Sequence, residues 1–350
     1  MKAVRLHAIG DFRVDEIEKP TPKGEEILVE IGACGICGSD IPRIYSLGLT
    51  RPNYPLTIGH EFAGTVVEVG PNADKSLIGK KGAIFPLIPC RKCGPCLMGE
   101  YVMCEDYQYM GSRNDGGFAE YCLVPSAWHF VEADDQNISL DALAMTEPCT
   151  VAQHAVRKGE VSNGQYVAIF GAGPIGLMTA RWCKLFGAKP IVFDVVDEKI
   201  EFAKARGIEA GNNLTNNPKD LIKAFTGGKL ADVCIEGTGT GAALGQCIEC
   251  CKTMGTIVLM GNPGRDTQIK LGQHSQILRK ELVLKGIWNS HYSEFPINEW
   301  KVTVENICNG KMEVLDLITH RSSLDDLPAL TCGIKDKTIN ICKAMYSKNI

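Results

Sequence analysis

Four of the chain's sixteen cysteines crowd into "PCRKCGPCLMGEYVMC", Pro89 to Cys104. Cys90, Cys93, Cys96 and Cys104 follow the spacing C-x2-C-x2-C-x7-C. Two-residue gaps let neighbouring thiolates turn onto one ion, and the longer gap closes a tetrahedron around it. A four-thiolate zinc site keeps no open coordination position, so it organises a loop and cannot activate a substrate. An iron–sulfur cluster is the first rival, but the fourth gap is long and no second cluster motif follows. A redox dithiol would need only one pair. The spacing favours structural zinc, and the chemistry must be sought elsewhere.

Two upstream stretches carry softer evidence: "GACGICGSD" (Gly32–Asp40) and "YPLTIGHEFAG" (Tyr54–Gly64). Cys37 offers a thiolate, His60 an imidazole and Glu61 a carboxylate. They lie far apart in sequence, and His60 taken alone reads equally well as a satisfied core histidine. Glu147, in "MTEPCTVAQHAV", precedes a proline, which predicts an extended backbone; the residue could project into a cleft or sit solvated on a loop. If these groups meet, three protein ligands plus an exchangeable position make a catalytic zinc site.

From Gly164 onward, "GQYVAIFGAGPIGLMTARWCKLFGAKPIVFDVVDEK" reads as strand, glycine turn, helix, strand. Gly171, Gly173 and Gly176 form G-x-G-x-x-G directly after an apolar run, with Ile175 in the opening turn of the helix. The first glycine permits the tight turn, the second lets backbone approach a pyrophosphate, and the third lets helix pack on strand. The helix N-terminus then offers unpaired N–H groups to phosphate. Asp194, at the end of the next strand, would hold ribose hydroxyls. Val195 and Val196 follow it with no arginine for a 2′-phosphate, so NAD is expected over NADP. An α/β turn without a ligand is the plain alternative.

These residues need a scaffold, and 350 residues allow two domains. Apolar content of 45% and charged content of 22% are those of an ordinary globular chain. A net charge of −4 with dispersed lysine and arginine argues against nucleic acid. The start lacks the apolar core of a signal peptide, and no apolar run is long enough to span a membrane. The expected address is the cytoplasm, where cysteines stay reduced or bind metal. Residues 1–130 read as β. "LADVCIEGTG", "GTIVLMG" and "ELVLKGIW" read as later parallel strands, the last an edge that could pair with its twin in a homodimer. Cys250 and Cys251 read as core positions on a helix.

Taken together, GICGSD, GHEFAGTVVEVG, the four-cysteine loop, GGFAEY, TEP and the glycine fingerprint resemble the zinc-containing medium-chain alcohol dehydrogenases over nearly the whole chain. The resemblance implies an α/β architecture: a GroES-like catalytic β domain from residues 1–150 and 287–350, and a Rossmann doubly wound parallel sheet from 151–286. It implies two zinc ions per chain and NAD, with Cys37, His60 and Glu61 as catalytic zinc ligands and Glu147 reaching that zinc directly or through water. The glutamate after the histidine points to the polyol branch. Pro42, in CGSDIPRIY, stands where many members carry a proton-relay histidine, and that segment together with PLIPC, YMGSRNDGGFAEY and ILRKEL narrows the likeness to enzymes of sugar-alcohol phosphates. Ser39 would then take the hydroxyl proton, and Arg43 and Arg113 would meet the phosphate, with Arg279 and Lys280 in reserve. A homodimer or homotetramer is implied, and no nucleic-acid or membrane partner. An unphosphorylated polyol, a 2,3-diol or threonine is the rival substrate. A non-catalytic NAD- or zinc-binding protein is the rival of another class.

Overall fold

The computed structural model describes residues 1–51 and 53–350. The chain divides into two compact units, Met1–Pro148 with His291–Ile350, and Cys149–Ser290. The sequence placed these divisions at 150/151 and 286/287. The first falls inside helix Thr146–Lys158, where no composition change marks it.

The first unit is built on strand Ile27–Gly35, buried along nearly its whole length. It pairs antiparallel with Glu61–Val69, Tyr121–Val124 and Lys343–Ser347. The sheet continues through Lys81–Ile84 to Phe130–Glu132 on one side and to Ile318–Ser322 on the other. A strand enclosed on both faces must be apolar throughout, and ILVEIGACG nearly is. The register sets Gly35 opposite Glu61 on one neighbour and opposite Met345 on the other. A small sheet, Asp11–Glu16, Lys2–Ala8 and Leu56–Thr57, completes the unit. Phe62, Phe118, Ile31 and Ile58 lie at the centre of its core.

The second unit holds six parallel strands in the spatial order Glu209–Asn212, Lys189–Asp194, Tyr166–Phe170, Ala231–Glu236, Cys251–Leu259, Val283–Gly286. In sequence rank this is the 3-2-1-4-5-6 order of dinucleotide-binding sheets. Phe170 and Phe193 stack across adjacent strands at 5.0 Å between ring centres and help fill the core. Cys250 ends helix Gly241–Cys250 and Cys251 begins the next strand, so the pair does not share a helix as expected. Both are fully buried. Among the described residues no helix is long and apolar enough to cross a membrane.

Candidate metal and nucleotide sites

Cys37 leaves the end of strand Ile27–Gly35, and His60 and Glu61 open the neighbouring strand Glu61–Val69. Because the two strands pair at Gly35 and Glu61, residues 23 and 24 positions apart in sequence converge. One donor atom from each of Cys37, His60 and Glu61 lies within 4.8 Å of the others. The fold therefore assembles what spacing alone left open. Asp40, fully buried, braces the group. Its Oδ2 accepts the Cys37 N–H at 3.0 Å, its Oδ1 accepts Arg43 Nη1 at 2.5 Å, and His60 Nδ1 stands 3.6 Å from Oδ1.

The donor chemistry of this enclosure fits a metal cation. Burial, with Glu61 and Asp40 close by, pushes the Cys37 thiol up to about 12. Burial pushes Glu147 up to about 7. His60 Nδ1 is buried without a hydrogen-bond partner among the described residues. A thiol, an imidazole and a carboxylate held together are a borderline-soft set that suits zinc, and the metal would stabilise the thiolate that burial disfavours.

Glu147 sits in the first turn of helix Thr146–Lys158, not on an extended segment as its proline suggested. Pro148 is tolerated there because N–H groups of a first turn have no intrahelical acceptor to lose. Tyr109 donates to Glu147 Oε1 at 3.4 Å and packs edge-on against His60, ring centres 5.8 Å apart. Ser39 is exposed, two residues past Cys37. Arg43 is engaged by Asp40. Arg113 donates to the Tyr107 carbonyl at 2.5 Å with its guanidinium over the Tyr107 ring. Of the reserves, Arg279 bonds Ser275, and Lys280 clamps the carbonyls of Ile248, Glu249 and Cys251.

The four-cysteine loop also closes. Sulfurs of Cys90, Cys93, Cys96 and Cys104 lie within 4.8 Å of one another. Cys93 caps the short helix Gly94–Leu97, and a 3-10 turn at Tyr101–Met103 delivers Cys104, whose sulfur accepts the Cys90 N–H at 3.2 Å. N–H groups of Lys92 and Cys93 pull Cys90 down to about 6, whereas burial pushes Cys96 up to about 12. Thiols with such opposed tendencies become four thiolates together only around a cation.

In the second unit, Gly171 follows strand Tyr166–Phe170, and Gly173 caps helix Pro174–Leu185, whose first turn holds Ile175. A Cβ on Gly176 would overlap the Gly171 carbonyl oxygen, so that glycine is needed for close packing. A Cβ on Gly173 would meet no atom of the described residues within 4 Å; its bareness suits a pyrophosphate approaching the loop. Asp194 Oδ2 accepts the Ala172 N–H at 2.9 Å, which places the carboxylate beside that loop. Lys199 Nζ stands 3.7 Å from it, a cation the sequence reading did not anticipate.

Sequence reasoning also missed Asp40 and Lys343. Asp40 had a signal, an acid three residues after Cys37 in one turn. Lys343 had none. It is buried, its Nζ donates to the Ile36 carbonyl at 2.9 Å, and it forms an ion pair with Glu61 Oε2. Burial opposes the charge on Lys343, yet Glu61 and Cys37 more than offset this and raise its pKa.

Residues 23–135 match the alcohol dehydrogenase GroES-like domain, and residues 174–307 match the zinc-binding dehydrogenase domain. The chain is 33% identical over 328 residues to galactitol 1-phosphate 5-dehydrogenase of Escherichia coli K12, covering 93% of this chain and 94% of that protein. It is 32% identical over 338 residues to L-threonine 3-dehydrogenase of Symbiobacterium thermophilum, covering 94% and 93%. The crystal structure of galactitol-1-phosphate dehydrogenase from Escherichia coli superposes with a TM-score of 0.91 at 30% identity, covering 99% of this chain and 100% of that one.

Proposed function

The chain belongs to the zinc-containing medium-chain alcohol dehydrogenases, and from that premise we propose that it oxidises galactitol 1-phosphate to tagatose 6-phosphate with NAD. The observation that carries the catalytic part is the convergence of Cys37, His60 and Glu61 under the brace of Asp40. Similarity along the chain to a galactitol-phosphate enzyme supports the substrate.

In this reading Cys37, His60 and Glu61 hold the catalytic zinc, and Cys90, Cys93, Cys96 and Cys104 hold a second, structural ion. When bound, the catalytic zinc supplies a Lewis acid that makes a secondary alcohol more acidic, and NAD supplies the hydride acceptor. Ser39 Oγ takes the hydroxyl proton. Pro42 cannot relay it, so water or a carboxylate such as the buried Glu147, hydrogen-bonded to Tyr109, takes that role. Gly171, Gly173, Ile175 and Gly176 cradle the pyrophosphate, and Asp194 meets the ribose. Arg43 and Arg113 bind the substrate phosphate with donors their present partners leave over, since a guanidinium carries five N–H groups.

The protein works as a homodimer or homotetramer. Strand Val283–Gly286 lies at the edge of its sheet, and Leu271, Leu278 and Trp288 are exposed nearby in the chain. Its compartment is the reducing cytoplasm, where thiols serve as metal ligands rather than disulfides.

The test is NADH formation with galactitol 1-phosphate beside sorbitol, 2,3-butanediol and threonine. Preference for the phosphate, abolished by Cys37→Ser, is expected. Preference for threonine, which the likeness to a threonine dehydrogenase favours, or for a free polyol would replace the substrate and keep the chemistry. Bound NAD with no turnover on any alcohol would leave a non-catalytic binding protein.

A further inference from the structure

Lys343 lies 282 residues from Glu61 in sequence, yet its ammonium is paired with that carboxylate. Three adjacent strands bring this about. Gly35 ends the middle one, Glu61 begins one neighbour, and Lys343 begins the other. The two side chains meet over Gly35, where a Cβ would collide with Glu61 Oε2 and lie 2.9 Å from Lys343 Cε. The side chains of Lys343 and Glu61 are only 4% and 2% exposed, so water cannot take over either role. The same ammonium holds the Ile36 carbonyl, in the peptide bond that leads into Cys37.

We propose that Lys343 is a positioning residue of the Cys37–His60–Glu61 centre, bracing the Glu61 carboxylate and the backbone at Cys37 at once. The inference rests on the reading of that centre as a zinc site. Two effects oppose each other when the ammonium is removed. Loss of a neighbouring positive charge favours a metal cation, while a freed Glu61 and a loosened Cys37 segment disfavour it. Positioning governs, because this one group fixes two of the three donors, and removal of such outer partners typically weakens metal binding roughly 10- to 100-fold.

The experiment measures zinc content, zinc affinity against a chromophoric chelator, and the visible spectrum of cobalt-substituted protein. Wild type, Cys37→Ser, Lys343→Met and Lys343→Arg are compared, with folding checked by circular dichroism. If wild type carries no zinc that Cys37→Ser removes, the zinc reading itself falls, and this inference with it. If that zinc is present, Lys343→Met is expected to bind it roughly 10- to 100-fold more weakly, with an altered cobalt spectrum. Lys343→Arg should recover part of both. Unchanged or tighter zinc with an unchanged spectrum in folded Lys343→Met overturns the inference alone. Should Lys343→Met fail to fold, the charge-neutral pair Glu61→Gln/Lys343→Met is compared with Glu61→Gln. Because Lys343 also holds Ile36, weaker zinc in the double variant supports the brace at Cys37, and equal affinity overturns it.

Discussion

Burial pushes His129 down to about 4, and the nearby Arg91 acts in the same direction. Its Nδ1 lies 3.1 Å from the Phe85 carbonyl, and its ring stacks on Phe85. The imidazole is thus neutral in the folded chain and free to take a proton in the unfolded one, where its ordinary value is 6.5. Between those two values the unfolded state binds more protons, so stability rises with pH through that window and falls as the medium is acidified. By about pH 5 the loss from this one group is about 2 kcal/mol. Thermal melts of wild type and His129→Gln between neutral pH and about pH 5 check it. Wild type should lose more stability on acidification than the variant, and parallel losses would show that His129 is not responsible. Asp40 shows another use of burial at this scale: one carboxylate holds the Cys37 N–H and Arg43 together by hydrogen bonds and stands 3.6 Å from His60 Nδ1.

Among elements, the glycine turn and its helix form the most self-contained device. Strand Tyr166–Phe170, the turn and helix Pro174–Leu185 are contiguous, so their geometry depends mainly on short-range packing. Gly176→Ala drives a Cβ into the Gly171 carbonyl oxygen and must push helix from strand or reshape the loop. The expected result is loss of NAD binding by at least about tenfold, roughly 1.4 kcal/mol, with zinc content unchanged because the cysteine and histidine donors lie in the other unit. Fluorescence titration with NADH and metal analysis on the same sample decide it; full NADH affinity would remove Gly176 from the cofactor site. The four-cysteine loop is an element of another kind. Its helix has four residues and its 3-10 turn three, too little regular structure to hold itself, which is why a metal is the natural organiser.

For the whole molecule the open question is assembly. Strand Val283–Gly286 pairs on one side with Cys251–Leu259, and its other edge has no partner strand among the described residues. Val283 and Leu284 are 47% and 39% exposed, and Leu271 is 85% exposed, a costly set of apolar groups to leave in water. Light scattering after gel filtration should give twice or four times the 38.0 kDa chain mass. Val283→Lys with Leu271→Lys should lower that mass and the melting temperature together. A wild-type protein running at the single-chain mass would sink the proposal.

The sequence by itself determined the parts whose chemistry is local. Four cysteines in one loop, a glycine fingerprint between a strand and a helix, and an acid closing the next strand are each legible as candidates within a few dozen residues, because neighbours in sequence are constrained to be neighbours in space. Cys37, His60 and Glu61 stand out in the sequence only through the family likeness, and their meeting depends on the pairing of Gly35 with Glu61. The helical setting of Glu147, the division of the chain within its helix, and the engagement of Arg43 and Arg113 by protein partners were decided by packing. Lys343 marks the limit most sharply. Nothing in "KAMYSK" announces a partner for Glu61, since the contact exists only where strand Lys343–Ser347 returns beside Ile27–Gly35 and a missing Cβ opens the space between them.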